Sequence, residues 1–226
     1  LDIEMMKEAE RRGIKTVSMP KGWDNVAKTL YRFVPDVLIV QNERMRISAG
    51  PFQGISKEKI IVTGFPQFDW YKKSEILQTR EEYCASVGLD PNRKIIFFGS
   101  EGRWTPHDNA IVSLLARRVM SNGFCTPCSL FVRPHFSDIK EGRFNAFKNI
   151  SPHIVVDDSI TLSDFFSDNW DPGVPETKKF TNLVYHCDML VAIASTLTLD
   201  AACFDKPIIN VAFKALYHPQ NGRDVS

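Results

Sequence analysis

The 226-residue chain has no charge excess of either sign: 28 lysines and arginines stand against 27 acidic residues, a formal net charge of +1. Such a balance gives no electrostatic footprint for nucleic acid or for an anionic membrane. Long apolar runs are missing too. None approaches the ~18 residues that a membrane span needs, and the first residues hold no signal-peptide core, so a cytoplasmic location is expected. Cysteine is sparse and odd in number, five in all. Cys187 and Cys203 fall in apolar segments, which suits reduced, buried thiols better than a disulfide framework. The close pair Cys125 and Cys128 follows a helix end at Ser121-Asn122-Gly123 and leads into a strand, the reverse of a thioredoxin-type motif. No second pair stands at zinc-ligand spacing, and no short-period repeat or low-complexity tract is found.

What is present is an ordinary globular composition, 43% hydrophobic, in which apolar runs alternate with helical patterns. Ile3, Met6 and Ala9 share one helical face over residues 1–10, and Gly13 supplies the stop. Strands are predicted over 15–19, 37–40 and 59–63, with a helix capped by Asn42 before the third. A strand is expected ahead of the opening helix, so residues 1–68 read as the later half of an incomplete N-terminal Rossmann-like lobe. Residues 69–93 read as an interdomain linker carrying a polar helix capped by Ser74. A second lobe, 94–226 and itself truncated, shows strands over 94–98, 129–133, 153–156, 189–194 and 207–211, with helices over 108–120 and 177–186. The fold class is α/β, two doubly wound parallel-sheet lobes.

In open parallel sheets, ligands collect beyond the carboxyl ends of the strands, which directs attention to the residues that follow each one. In the second lobe these are Gly99-Ser100-Glu101-Gly102, Arg133-Pro134-His135, Asp157-Asp158 and Ser195-Thr196 through Asp200. Backbone N–H groups, a guanidinium, an imidazole and hydroxyls are together a donor set for a diphosphate. Each also has a plainer reading: Ser195 as a helix cap, the glycines as turn formers, Arg133 as a partner for a carboxylate. Asp157-Asp158 suits a cap better than a cation site, and no metal site is expected. In the first lobe, Trp23 either stacks on a flat ligand or fills a seam, and Asp24 either acts as a base or caps the next helix. His107, His153 and His186 have no partner pattern.

These residues, in this order, resemble the GT-B glycosyltransferase superfamily, and within it the group around CDP-glycerol glycerophosphotransferases and other surface-polysaccharide transferases. Three stretches carry the likeness: Trp23-Asp24-Asn25, the exit Val62-Thr63-Gly64-Phe65-Pro66-Gln67-Phe68-Asp69, and Arg133-Pro134-His135 with Ser195 to Asp200. UDP-GlcNAc 2-epimerases and Kdo transferases share similar features. The resemblance implies a nucleotide-activated donor held mainly by the C-terminal lobe. Arg133 and His135 would contact its phosphates, and Ser195 and Thr196 would bind the diphosphate. Asp200 would brace the helix or reach the donor's polar groups.

The resemblance implies no bound metal or other cofactor. The reaction expected is transfer of a sugar or glycerol phosphate from a nucleotide-diphosphate sugar or CDP-glycerol to a polysaccharide, teichoic-acid-like or lipid-linked acceptor. The catalytic base is either Asp24 or a group outside the chain. A lipid-linked acceptor would bring the protein to the inner face of a membrane, and a homo-oligomer is compatible with the composition. Two alternatives stand beside this: an epimerase acting on the same type of ligand, and a non-catalytic binding or assembly subunit.

Overall fold

The computed structural model describes residues 2–22, 25–102, 105–157, 159–160, 173–193, 195–212, 217–218 and 223–224. The chain divides into two compact units, Leu1–Trp70 and Tyr71–Ser226.

In the first unit, helix α1 (Asp2–Arg11) ends before Gly13, whose φ of 66° is the left-handed conformation that glycine adopts without steric penalty. Three short strands, β1 (Val17–Ser18), β2 (Val37–Val40) and β3 (Ile60–Val62), pair in parallel in that order. The first is shorter than its sequence predicts. Thr16 and Asp36 lock its start to that of β2, the Thr16 N–H donating to Asp36 Oδ2 at 2.9 Å and the Asp36 N–H to Thr16 Oγ1 at 3.0 Å. Two helices follow strands, α2 (Asn25–Lys28) and α3 (Glu43–Gln53). Asn42 caps α3 as expected, its side chain accepting from the Met45 N–H at 2.9 Å. Leu38, Val40, Met45, Ala49, Ile55 and Ile60 form the core of this unit.

The second unit holds a five-stranded, wholly parallel sheet. Its strands are β4 (Lys94–Gly99), β5 (Cys128–Arg133), β6 (Ile154–Val156), β7 (Met189–Ala192) and β8 (Ile208–Asn210), in the spatial order β6-β5-β4-β7-β8. Side chains alternate across a strand, so β4 feeds both faces. Ile96 and Phe98 pack with Ile111, Val112 and Val119 of α5 (Asp108–Met120). Ile95 and Phe97 pack on the other face with Tyr83 and Cys84 of α4 (Arg80–Val87), Leu183 and Val184 of α7 (Val174–His186), and Ala201 of α8 (Leu197–Cys203). Two covered faces explain why these strands read as continuous apolar runs.

Two helices differ from expectation. The polar helix begins at Arg80, not near Ser74: Thr79 and Glu82 form a reciprocal capping box there, while Ser74 opens only a short 3₁₀ turn, Ser74–Ile76. A six-residue helix, α6 (Phe136–Glu141), follows β5 directly and was not foreseen. Much of the polar stretch between β6 and α7 lies outside the described residues.

Candidate functional site

The chain runs outward from β4 through β5 to β6, returns, and continues from β7 to β8 on the other side. The reversal lies between β4 and β7, and at such a switch point the loops after neighbouring strands diverge and leave a crevice. A cavity of about 210 Å³ opens there. Ser100 and Glu101 line it after β4, Arg133, Pro134, His135 and Phe136 at the end of β5, and Ser195, Thr196 and Leu197 between β7 and α8. Three of the four groups of residues expected in the second lobe therefore meet around one space. Gly99 and Gly102 stand behind it. A Cβ on Gly99 would collide with the Leu197 side chain, so the absence of a side chain at Gly99 lets the α8 segment approach the end of β4.

Beneath the cavity floor, Ser100 is the centre of a buried polar cluster. Its Oγ lies 2.7 Å from Asp108 Oδ2 and 2.6 Å from Asp138 Oδ2, and it accepts the Gly102 N–H at 3.0 Å. A serine hydroxyl has one hydrogen, so the two carboxyls compete for it. Asp138 also takes Arg143 Nη1 at 3.2 Å and the His135 N–H at 3.1 Å. Burial pushes the Asp108 carboxyl above the ordinary range, hydrogen bonds from Ser100 and Thr105 and the Arg143 charge oppose this, and the nearby Asp138 charge adds to it. Arg143 ties the cluster to the loop by donating to the carbonyls of Gly102, at 2.7 Å, and Thr105.

The raised Asp108 carboxyl makes a prediction. Asp108→Asn, which copies the protonated form, is expected to change stability by under about 1 kcal/mol at neutral pH, whereas Asp138→Asn costs about 2 to 3 kcal/mol by removing a charged partner of Arg143. The sign with pH follows from the raised folded-state value. The Asp108 contribution is fully present below the unfolded value near ~3.9 and is lost as pH rises toward the folded one. Urea unfolding from about pH 4 to about pH 8 should thus shift in favour of Asp108→Asn over the native protein as pH rises.

Arg133 lines the cavity, but its guanidinium is engaged from behind. Nη1 donates to Asp157 Oδ2 at 3.0 Å, Nη2 to Glu176 Oε1 at 3.1 Å, and the group lies 5.0 Å from the Phe180 ring centre. Lys179 Nζ reaches the other Asp157 oxygen at 2.7 Å. Burial acts to raise the Asp157 carboxyl, yet the bonds from Lys179 and Ser159 and the charges of Lys179 and Arg133 outweigh it and hold it below the ordinary value. Two cations and two carboxylates thus balance at the end of β5.

His135 is the N-cap of α6, with its ring Nδ1 accepting the Ser137 N–H at 3.3 Å and lying 2.8 Å from Ser137 Oγ. An accepting Nδ1 places the ring proton on Nε2 and makes that nitrogen a donor. Ser195 Oγ accepts the Leu197 N–H at 3.2 Å, and the Ser195 carbonyl accepts from Thr198 Oγ1 at 2.8 Å. The Ser195 hydroxyl lines the same wall of the cavity as the Glu101 carboxyl. Burial raises the Glu101 carboxyl, the Ser195 hydroxyl opposes it, and the Asp108 charge adds to it. Asp200 turns away toward Tyr71, whose hydroxyl donates to Asp200 Oδ1 at 2.6 Å. Burial raises the Asp200 carboxyl against that bond.

In the first unit, Asn25 opens α2, and its Oδ1 accepts from the Gly22 N–H at 2.5 Å, closing the turn after β1. Trp23, Asp24 and Asp158 lie outside the described residues. Sequence reasoning missed Asp108, Asp138, Arg143, Glu176, Lys179 and Tyr71. Asp108, Asp138 and Glu176 carry a readable signal, since each is an acidic residue in the first turn of a helix.

The topology defines a class: α/β units with Rossmann-like parallel sheets, of the GT-B-like kind. Solved structures share this fold. The UDP-GlcNAc 2-epimerase of Methanocaldococcus jannaschii is similar over 92% of this chain and 57% of its own, with a TM-score of 0.60 at 12% identity. The S. aureus MnaA–UDP co-structure matches at TM-score 0.60 and 12% identity, over 92% of this chain and 54% of that one. A variant of the wall teichoic acid polymerase TagF soaked with CDPG matches at TM-score 0.50 and 14% identity, over 77% of this chain and 39% of that one. The chain thus spans between about two-fifths and somewhat over half the length of these structures. No family model matches it, and no curated protein matches it in sequence.

Proposed function

We propose that the chain forms part of a cytoplasmic GT-B enzyme that takes a nucleotide-diphosphate donor and transfers its sugar or glycerol phosphate to a surface-polymer acceptor. The observation that carries this reading is the cavity at the switch point, where hydroxyls, N–H groups and an imidazole from the loops after β4, β5 and β7 converge. In this reading Thr196, the Ser195 hydroxyl, the His135 Nε2–H and the loop amides take the diphosphate. Charge growing on the departing phosphate would meet these donors already in place, where one such donor is worth about 3 to 4 kcal/mol of barrier. Arg133 holds the end of β5 through its pairs with Asp157 and Glu176. Asp200 braces α8 through Tyr71, and Ser100 and Gly102 shape the turn. Asp24, with Trp23 and Asn25, belongs to the acceptor side. CDP-glycerol and nucleotide-diphosphate sugars are the donors tested first, with a polysaccharide or lipid-linked acceptor.

A ligand that binds only the native state raises its stability, by about 2.7 kcal/mol at a hundred times its Kd. Thermal unfolding of the chain in CDP, UDP, GDP and their activated polyols should show such a rise with one base. Failure of every nucleotide to stabilise the chain sinks the donor reading in favour of an assembly subunit. Conversion of a nucleotide sugar with no acceptor present would replace transfer by epimerisation.

A further inference from the structure

We infer that Glu101 is the selectivity residue of this cavity: its carboxylate accepts hydrogen bonds from the neutral, hydroxyl-bearing end of the donor and rejects a ligand that carries an anionic group there. The inference rests on the donor reading above and deepens it.

Among the described residues that line the cavity, Glu101 is the acidic one. Arg133 does not offset it, because its two terminal nitrogens are already paired with Asp157 and Glu176. Ser195, beside it on the lining, is a neutral hydroxyl whose oxygen takes the Leu197 N–H, so it adds no charge of its own. The wall formed by Glu101 and Ser195 thus presents carboxylate lone pairs. A sugar or glycerol hydroxyl both donates and accepts, so it can give its hydrogen to Glu101 and take one from a neighbouring donor such as Thr196. A phosphate oxygen only accepts at neutral pH, and against Glu101 it would meet a like charge in a confined space. The cavity therefore has two chemical ends: donors from the loops after β5 and β7 for the diphosphate, and an acceptor after β4 for the polyol.

The test compares two ligands that share a base and differ in their ends, such as CDP-glycerol and CTP, or UDP-glucose and UTP, by calorimetric titration of the native chain and Glu101→Gln. The native chain should bind the polyol-ended ligand the more tightly. Glu101→Gln should lose about tenfold for that ligand, the scale of a hydrogen bond to a charged group, and gain severalfold for the triphosphate. Glu101→Asp, which keeps the charge but draws it back, should weaken the polyol-ended ligand while still rejecting the triphosphate. Equal changes for both ligands in Glu101→Gln, or no change for either, would overturn the inference and leave the donor reading standing. If neither ligand binds the native chain at all, the donor reading falls and this inference with it.

Discussion

Arg133→Met is expected to cost about 3 to 5 kcal/mol of unfolding free energy, the range for removing one partner of a buried ion pair and leaving the other charges unmatched. The side chains of Arg133, Asp157 and Glu176 are 9%, 1% and 5% exposed, so water cannot replace the guanidinium. Lys179 stays on Asp157, so the change falls on Glu176, which loses its bond from Arg133 Nη2. Glu176→Gln in the Arg133→Met background should accordingly recover part of the loss, because it removes the buried negative charge that the guanidinium balanced. The acid side carries a second signature. Asp157 is held below its ordinary value, so its contribution is present above the unfolded value near ~3.9 and disappears as pH falls through the folded one. That dependence should flatten in Arg133→Met. Urea unfolding of the single and double variants measures both effects. A loss under about 1 kcal/mol would free the guanidinium from this structural duty and return it to the ligand. Turnover alone cannot make this distinction, because an inactive Arg133 variant is explained equally by a lost phosphate contact and by a weakened end of β5.

The parts of the fold legible in the sequence are those set by neighbouring residues. The apolar runs of β4, β5 and β7 announce a sheet covered on both faces, and the pattern over Asp108–Met120 gives α5 with its bounds. Ser74 and Thr79 are both plausible caps by residue type. The glutamate three positions after Thr79 decides between them, since it can return a bond to the cap backbone, and Ser74 is followed at that spacing by Leu77. The six-residue α6 escaped notice because a histidine fills its cap position and its Nδ1 does the work usually left to a hydroxyl or carboxylate. In the site, the strand-end rule points to Ser100, Glu101, Arg133, His135, Ser195 and Thr196, which line one cavity. It says nothing of charge. Glu176 reaches Arg133 from 43 positions away and Asp138 reaches Ser100 from 38, and no periodicity encodes such meetings.

Gly102→Ala is expected to be among the most damaging single-methyl changes in the second unit, at about 3 kcal/mol, equivalent to a fall of roughly 6 to 12 °C in Tm for a domain of this size. Two effects add. Gly102 has a φ of 68°, where a Cβ costs about 1 to 2 kcal/mol in backbone strain. The new Cβ would also lie 2.7 Å from His135 Nδ1 and 3.0 Å from its Cγ, and would collide with Ser137 Oγ. Neither neighbour can yield cheaply, because His135 and Ser137 bond each other in the cap of α6 and the Gly102 N–H and carbonyl are tied to Ser100 and Arg143. Gly88→Ala supplies the control. Gly88 ends α4 with a φ of 75°, but a Cβ there meets nothing within 4 Å, so that variant should show the strain alone, about 1 to 2 kcal/mol. The difference between the two unfolding energies isolates the collision. Because the displaced ring is that of His135, nucleotide-induced stabilisation should fall in Gly102→Ala and persist in Gly88→Ala. Equal losses in the two variants would mean that His135 and Ser137 move aside freely, and the turn after β4 would then not be what holds the imidazole at the cavity.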